Sequence, residues 1–219
     1  MNNKVILNDA LKRFTLDQDK TLPPEDTVKL FKDKLNKIDL DILKDTVRID
    51  NGRLDIPVFI SYYGQDAKNV TGIKKQMGKG AGQDAKNVTG IKKQMGKGAT
   101  PQQAEASAVM ELAERFSLFS FKKNSGNFII EKYRNIKDKA IDFQMIAQSV
   151  HDENKDSDLM EKIFEDLPLK WTWATNLTRN KEILIPFDWF FTINEFNGSC
   201  AGNCPEEAIC QGICEIVER

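Results

Sequence analysis

Two segments of this chain carry the same spaced set of polar residues, and that pattern restricts its fold more than any other feature. Ser107, Glu111, Glu114 and Arg115 recur 104 residues later as Gln211, Glu215, Glu218 and Arg219. On an α-helix, positions i, i+4, i+7 and i+8 share one face. Each segment therefore presents a neutral polar group, two carboxylates and an arginine as one stripe, with Val109, Met110 and Leu112, or Ile213, Ile216 and Val217, around the remainder. Taken singly, Glu–Arg pairs at i,i+4 are ordinary surface pairs worth about 0.3–0.5 kcal/mol. The surroundings argue for more. Ala104, Ala106, Ala108 and Ala113 leave room for close approach beside the first stripe, and a Gly-rich stretch, residues 197–203, leads into the second. If the stripes face each other, four carboxylates converge beside two arginines, which is stable only with cations between them. Hard oxygen ligands suit Mg²⁺, which bridges readily to phosphate oxygens, and arginine forks bind phosphate bidentately. Spacing alone thus leads to a Mg–nucleotide phosphate site built from helix faces. It is not a Walker A site, because GxxxxGK[ST] is absent.

Composition removes several other chemistries. The 219 residues carry 32 Lys and Arg against 33 Asp and Glu, a net charge of −1, so no global field attracts nucleic acid or an anionic membrane. Hydrophobic residues make up 40% and charged residues 30%, a globular composition. No apolar run reaches the length of a membrane span, and the start, MNNKVILNDALKRF, has no basic-then-apolar leader pattern. A cytoplasmic location is expected. The single histidine, His151, sits in the polar stretch SVHDENKDSD and reads as a surface residue, which excludes His-dependent nucleophiles and His-rich metal sites. Cys200, Cys204, Cys210 and Cys214 lack CxxC spacing and read first as reduced thiols acting as small hydrophobes, with a metal or cluster site and a disulfide as the alternatives.

Along the chain, residues 1–45 are expected to be mainly helical, with Val28, Phe31, Leu35 and Ile38 at helical spacing after Pro23 and Pro24. Asn51-Gly52 signals a turn and Ile56–Tyr63 a strand. GQDAKNVTGIKKQMGKGA then occupies residues 64–81 and recurs unchanged at 82–99. Solenoid repeats diverge and need three or more units, so the surplus 18 residues are expected to bulge as a solvated, lysine-rich loop. Thr100, Pro101 and Gln103 make an N-cap, a first-turn proline and a capping box for a helix over 100–121. Phe128–Ile130 reads as a strand, two mixed-charge segments follow at helical spacing, and WTWATNLTRNKEILIPFDWFF reads as a hairpin. Asn203 is the expected cap of the last helix.

At these residues the sequence resembles the YcaO family. The matching pieces are GKGATPQQAEASAVMELAERFS (96–117) and NGSCAGNCPEEAICQGICEIVER (197–219), with RLDIPVF (53–59) and ILIPFDWF (183–190) in the expected order. The resemblance covers roughly residues 20–219 without the surplus repeat. It implies an α+β (mixed α/β) fold in which helices bearing two ExxER motifs pack on a mixed sheet. It also implies a helical segment 1–45 ahead of an ATP-binding domain, 46–219, that is its N-terminal portion. The implied cofactors are ATP and Mg²⁺, held by Lys97 (on the GKG match), Ser107, Glu111, Glu114, Arg115, Asn203, Glu207, Gln211, Glu215, Glu218 and Arg219, with Glu111, Glu114, Glu215 and Glu218 on the metal. The implied reaction is ATP-dependent phosphorylation of a peptide backbone amide, a cyclodehydratase-type activation leading to heterocycles, thioamides or related products; it is phosphoryl transfer by positioning and charge neutralisation. The alternatives are an accessory factor for methylthiolation of a small-subunit ribosomal protein and a truncated non-catalytic scaffold. A peptide or protein substrate, a TfuA-like or methylthiotransferase partner and a homodimer are compatible with the resemblance; nucleic acid and membrane are not implied. Because the family runs past the second ExxER, this chain is expected to be an N-terminal fragment.

Overall fold

A computed structural model describes residues 5–13, 20–50, 56–70, 93–150 and 157–218. The Asn51-Gly52 turn, most of the duplicated segment, His151 and Arg219 lie outside the described residues. The chain is α+β and divides into two compact units, residues 8–123 with 198–219 and residues 1–7 with 124–197.

The first unit holds both stripe-bearing helices. Helix α1 (Pro24–Lys37) opens on Pro-Pro, which presets the first turn, with Glu25 and Asp26 at its positive end. Strands β1 (Leu43–Arg48), β2 (Val58–Tyr63) and β3 (Lys93–Lys97) form an antiparallel sheet in that order. Between β2 and β3 lies the short helix α2 (Gln65–Val70), started by Asp41, whose carboxylate accepts from the Gln65 N–H at 2.8 Å. Helix α3 (Pro101–Lys123) lies across this sheet, with Ala104, Ala108, Val109 and Leu112 at 0% exposure. Its capping box is formed: Gln103 N–H donates to Thr100 Oγ1 at 3.2 Å, and Gln103 Oε1 accepts from the Ala99 and Thr100 N–H groups. Leu35, Ile42, Tyr63, Ala67 and Leu112 make the core between α1, α2, α3 and the sheet. Ser61 Oγ donates to the Ala108 carbonyl at 2.7 Å, pinning β2 to α3.

In the second unit, β4 (Ile129–Lys132), β5 (Pro168–Asn176) and β6 (Lys181–Pro186) form a second antiparallel sheet. Short helices α4 (Tyr133–Ile136) and α5 (Phe143–Ala147), with α6 (Ser157–Asp166), cover it through Tyr133, Ile136, Phe143, Ile146 and Phe164, packed on Trp171 and Leu184. Trp171 stacks on Tyr133 at 5.9 Å and donates its indole N–H to the Glu131 carbonyl at 2.9 Å, so its polar edge is satisfied inside the core. Helix α7 (Phe187–Asn194) follows. The last helix, α8 (Pro205–Glu218), belongs to the first unit.

Four expectations need correction. Both sheets are antiparallel, and parallel pairing among the described residues is confined to an isolated Ala140–Leu184 bridge. The end of the expected helical segment 1–45 is strand, not helix: Leu43–Arg48 pairs with β2 and takes its shape from that partner, not from local propensity. The second arm of the expected hairpin stops at Pro186, and the aromatic run after it is α7. A proline at the N-cap position and Asp188 in the first turn start a helix there. Finally, α8 starts at Pro205, so Cys204 takes the N-cap place and Asn203 stands one residue before it.

The duplication enters the fold through both copies. Helix α2 comes from the first and β3 from the second, 22 residues apart, whereas one copy alone separates the same two stretches by the four residues TGIK. Deleting Thr71–Val88 restores that spacing without changing any residue of α2 or β3. Chain closure costs about 0.6 kcal/mol per doubling of length, so the shortened protein is expected to be more stable by about 1.5 kcal/mol. Urea unfolding of the two forms measures this, and a destabilised deletion variant would show that both copies are needed.

Candidate functional site

Helices α3 and α8 and residues 20–27 enclose a polar cleft of about 590 Å³. Lys97, Ser107, Glu111, Glu114, Arg115, Asn203, Glu207, Gln211, Glu215 and Glu218 all line it, so the structure brings together every described member of the expected set. Helical spacing explains the arrangement: with Ala104, Ala108 and Leu112 turned to the sheet, the 107-111-114-115 stripe faces away from it. Lys97 reaches the rim from β3 because Gly96 and Gly98 on either side of it let the strand lie directly on α3.

Five carboxylates line the cleft (Glu111, Glu114, Glu207, Glu215, Glu218) against three cations, Lys20, Lys97 and Arg115. Arg115 sits 3.0 Å from Glu114 and 3.8 Å from Glu111. Burial pushes both carboxyls above their ordinary range, against the pull of Arg115; at Glu114 a Ser199 hydrogen bond also opposes the rise, while Glu215 and Glu111 add to it. Acids that burial and each other hold in a costly ionised state are a place prepared for positive charge. The donors on offer are carboxylate oxygens without imidazole, the set that suits a hard divalent cation rather than zinc or copper.

Glu207 differs from the other four. It is 9% exposed, and its carboxylate accepts from the Thr21 N–H (3.0 Å), the Thr21 hydroxyl (2.8 Å) and the side-chain and backbone N–H of Asn203 (3.1 and 3.3 Å), with Lys20 at 3.8 Å. Burial pushes its pKa up, but these donors outweigh burial and hold it below the usual carboxylate range. In the structure, then, Glu207 and Asn203 engage each other and fasten the Lys20-Thr21 segment over the start of α8. A carboxyl whose folded pKa is lowered adds stability above its unfolded pKa, and that gain disappears as pH falls through the folded value. Glu207→Gln is expected to cost about 1–2 kcal/mol at pH 7, the scale of a charge-assisted hydrogen bond. The gap from wild type should narrow as pH falls below the ordinary carboxylate range and on through the lowered folded value, as urea melts at pH 7 and at acid pH will show.

Local spacing gave no sign of Lys20, Thr21, Thr27 or Ser199. Lys20 and Thr27 line the cleft from a segment nearly two hundred residues from α8, and Lys20 Nζ donates to Gln211 Oε1 at 3.5 Å. Only a long-range contact places them there. The cysteines are free thiols. Cys210 and Cys214 are exposed on α8, so the small-hydrophobe reading does not fit them, whereas Cys200 is half-buried beside Gly212 with its thiol pushed up by burial and by the nearby Glu114 and Glu215. Among the described residues no group of His, Cys, Asp and Glu has the ready-made geometry of a metal site.

The family profile described as YcaO cyclodehydratase, ATP- and Mg²⁺-binding, matches residues 95–219, more than half of the chain and the whole of both stripes. This chain belongs to the YcaO family. An uncharacterized protein of Methanothermobacter thermautotrophicus is 28% identical over 214 residues, covering 90% of this chain and 45% of its relative. Among solved structures, a heterocyclase in complex with substrate and cofactor superposes with a TM-score of 0.63 at 18% identity, over 99% of this chain and 30% of the other. YcaO from Methanopyrus kandleri, bound with AMPPCP and Mg²⁺, gives a TM-score of 0.50 at 19% identity, over 91% of this chain and 43% of that one. The chain thus has the YcaO fold and spans less than half the length of each of these relatives. No described helix is long and apolar enough to cross a membrane.

Proposed function

We propose that this chain supplies the nucleotide-binding part of an enzyme that uses Mg–ATP to activate a peptide backbone amide by phosphorylation, for heterocycle, thioamide or related modification. The observation that carries the reading is the convergence of Glu111, Glu114, Arg115, Glu215 and Glu218 on one cleft from two helices far apart in sequence. Family membership adds the nucleotide and the metal to what the charge pattern supports. The similarity to a heterocyclase seen in complex with substrate and cofactor is in keeping with that reading.

Bound Mg–ATP would supply the phosphoryl group and balance the acidic cleft. The residues of the chain bind and orient. Glu111, Glu114, Glu215 and Glu218 offer oxygens to the metal. Arg115, Lys97 and Lys20 offer positive charge to phosphate oxygens, with Arg115 suited to two-pronged contact. Ser107 and Gln211, each one helical turn before the first glutamate of its stripe, offer neutral hydrogen-bonding groups that add no charge. Such a site catalyses by placing groups and neutralising charge, so the chain's single histidine is no obstacle.

Titration calorimetry with ATP, with and without Mg²⁺, tests this. Binding that requires Mg²⁺ is expected, and no binding by the folded protein in either condition would overturn the reading.

A further inference from the structure

Ser199 stands just before α8 and takes no place in either stripe, yet it holds the first one. Its Oγ donates to Glu114 Oε1 at 2.7 Å and accepts from Arg115 Nη1 at 3.3 Å, while Arg115 Nη1 lies 3.0 Å from the same Glu114 oxygen. Hydroxyl, carboxylate and guanidinium thus close a three-membered ring of polar contacts, with the Glu114 and Arg115 side chains 16% and 19% exposed. A hydroxyl is the smallest group that both donates to an anion and accepts from a cation.

The loop that delivers Ser199 is itself fixed from α8. Gly198 has φ +80, a left-handed conformation that turns the chain, and the bare backbone of Gly212 on α8 admits the Gly198 carbonyl and the Cys200 side chain, which a Cβ there would strike at 2.9 and 2.8 Å. Ser199 is therefore the point at which the α8 end of the cleft grips α3. Its effect on charge is specific. Arg115 has two carboxylates within reach on its own helix, Glu114 at 3.0 Å and Glu111 at 3.8 Å, and Ser199 holds it on the Glu114 side. Arg115 already spans the two, but its Nη2 stays 3.8 Å from Glu111, beyond hydrogen-bond distance; without the hydroxyl it can close that gap and pair with Glu111 as tightly as with Glu114, neutralising from within the pair that the cleft offers to a cation.

We propose that Ser199 is a positioning residue that keeps Arg115 tight on Glu114 and thereby leaves Glu111 only loosely paired and able to take the metal–nucleotide ligand; the proposal rests on the Mg–ATP reading of this cleft. The test is Mg–ATP affinity by calorimetry for wild type, S199A, S199T and S199C, beside the ligand-free thermal midpoint of each. S199A and S199C are expected to bind about tenfold more weakly, while S199T, which keeps the hydroxyl, stays within about threefold of wild type. Losing one charge-assisted hydrogen bond is expected to lower the S199A and S199C midpoints by about 2–4 °C, with all four proteins folded at the temperature of the calorimetry; if S199A melts much lower, S199C, matched in volume, decides. Wild-type binding with S199A and S199C unchanged would overturn the role of Ser199 alone, as would a threonine variant as weak as alanine. A wild-type protein that does not bind would overturn the nucleotide reading, and this role with it.

Discussion

Glu111→Gln is expected to weaken Mg-dependent ATP binding about a hundredfold, roughly 2.7 kcal/mol, while leaving the ligand-free protein as stable as wild type or more so. The two signs together identify the function of the cleft. In a structural ion pair, removing a carboxylate lowers stability, because its partner is left without an anion. Glu111 is placed the other way: burial raises its pKa, its cation is 3.8 Å off and shared with Glu114, and Glu114 adds like charge close by. Neutralising Glu111 relieves that repulsion in the free protein and, on the proposed Mg–ATP reading, takes one oxygen away from the metal. Glu215→Gln from the opposite helix should act in the same direction. Calorimetry gives the affinity and urea unfolding the stability; a Glu111→Gln protein that binds normally, or that binds weakly only because it is destabilised, would contradict the assignment.

The acidic stripe was legible in sequence because it is local. Helical spacing by itself places Ser107, Glu111, Glu114 and Arg115 on one face, and the Thr100–Gln103 capping box marks where that helix begins. The meeting of the two stripes in one cleft is not local, and helical spacing alone could not have placed them together. Contacts made across the chain left no trace. Thr21 on Glu207 and Ser199 on Glu114 join residues 186 and 85 positions apart, and nothing in DQDKTLPP or NGSCAG announces them. The fold errors have the same origin. Strand β1 is a polar, ordinary-looking segment that extends because β2 is beside it, and the aromatic run of α7 has strand-like composition that Pro186 overrides. On α8, Ile213, Ile216 and Val217 look like core residues in sequence but are 51%, 58% and 80% exposed, so an apolar pattern told which face of the helix they share and not whether anything covers it.

Gly96→Ala is expected to destabilise the protein by about 3 kcal/mol, at the upper end for overpacking, and to lower Mg–ATP affinity in whatever folded protein remains. Gly96 lies on β3 opposite Phe59 of β2, and a Cβ there would strike the backbone of Ala104 and Ala108 on α3. Because the obstacle is main chain and not a flexible side chain, rotamer changes cannot relieve it; the helix has to lift from the sheet. That movement breaks the Ser61 hydrogen bond to the Ala108 carbonyl and opens the 0%-exposed seam of Ala104, Ala108 and Leu112. It also carries Ser107, at the contact itself, and Glu111, Glu114 and Arg115, one to two turns beyond Ala108, out of register with α8, whose hold on α3 includes Ser199. The GKG triplet is thus a packing device first: its glycines set how far the first acidic stripe stands from the sheet, and Lys97 between them reaches the cleft as a consequence. Urea unfolding and calorimetry on Gly96→Ala measure the two effects. Loss of affinity without loss of stability would place Gly96 in direct contact with the ligand, and a variant indistinguishable from wild type in both would mean that strand and helix are not in the close contact the structure shows.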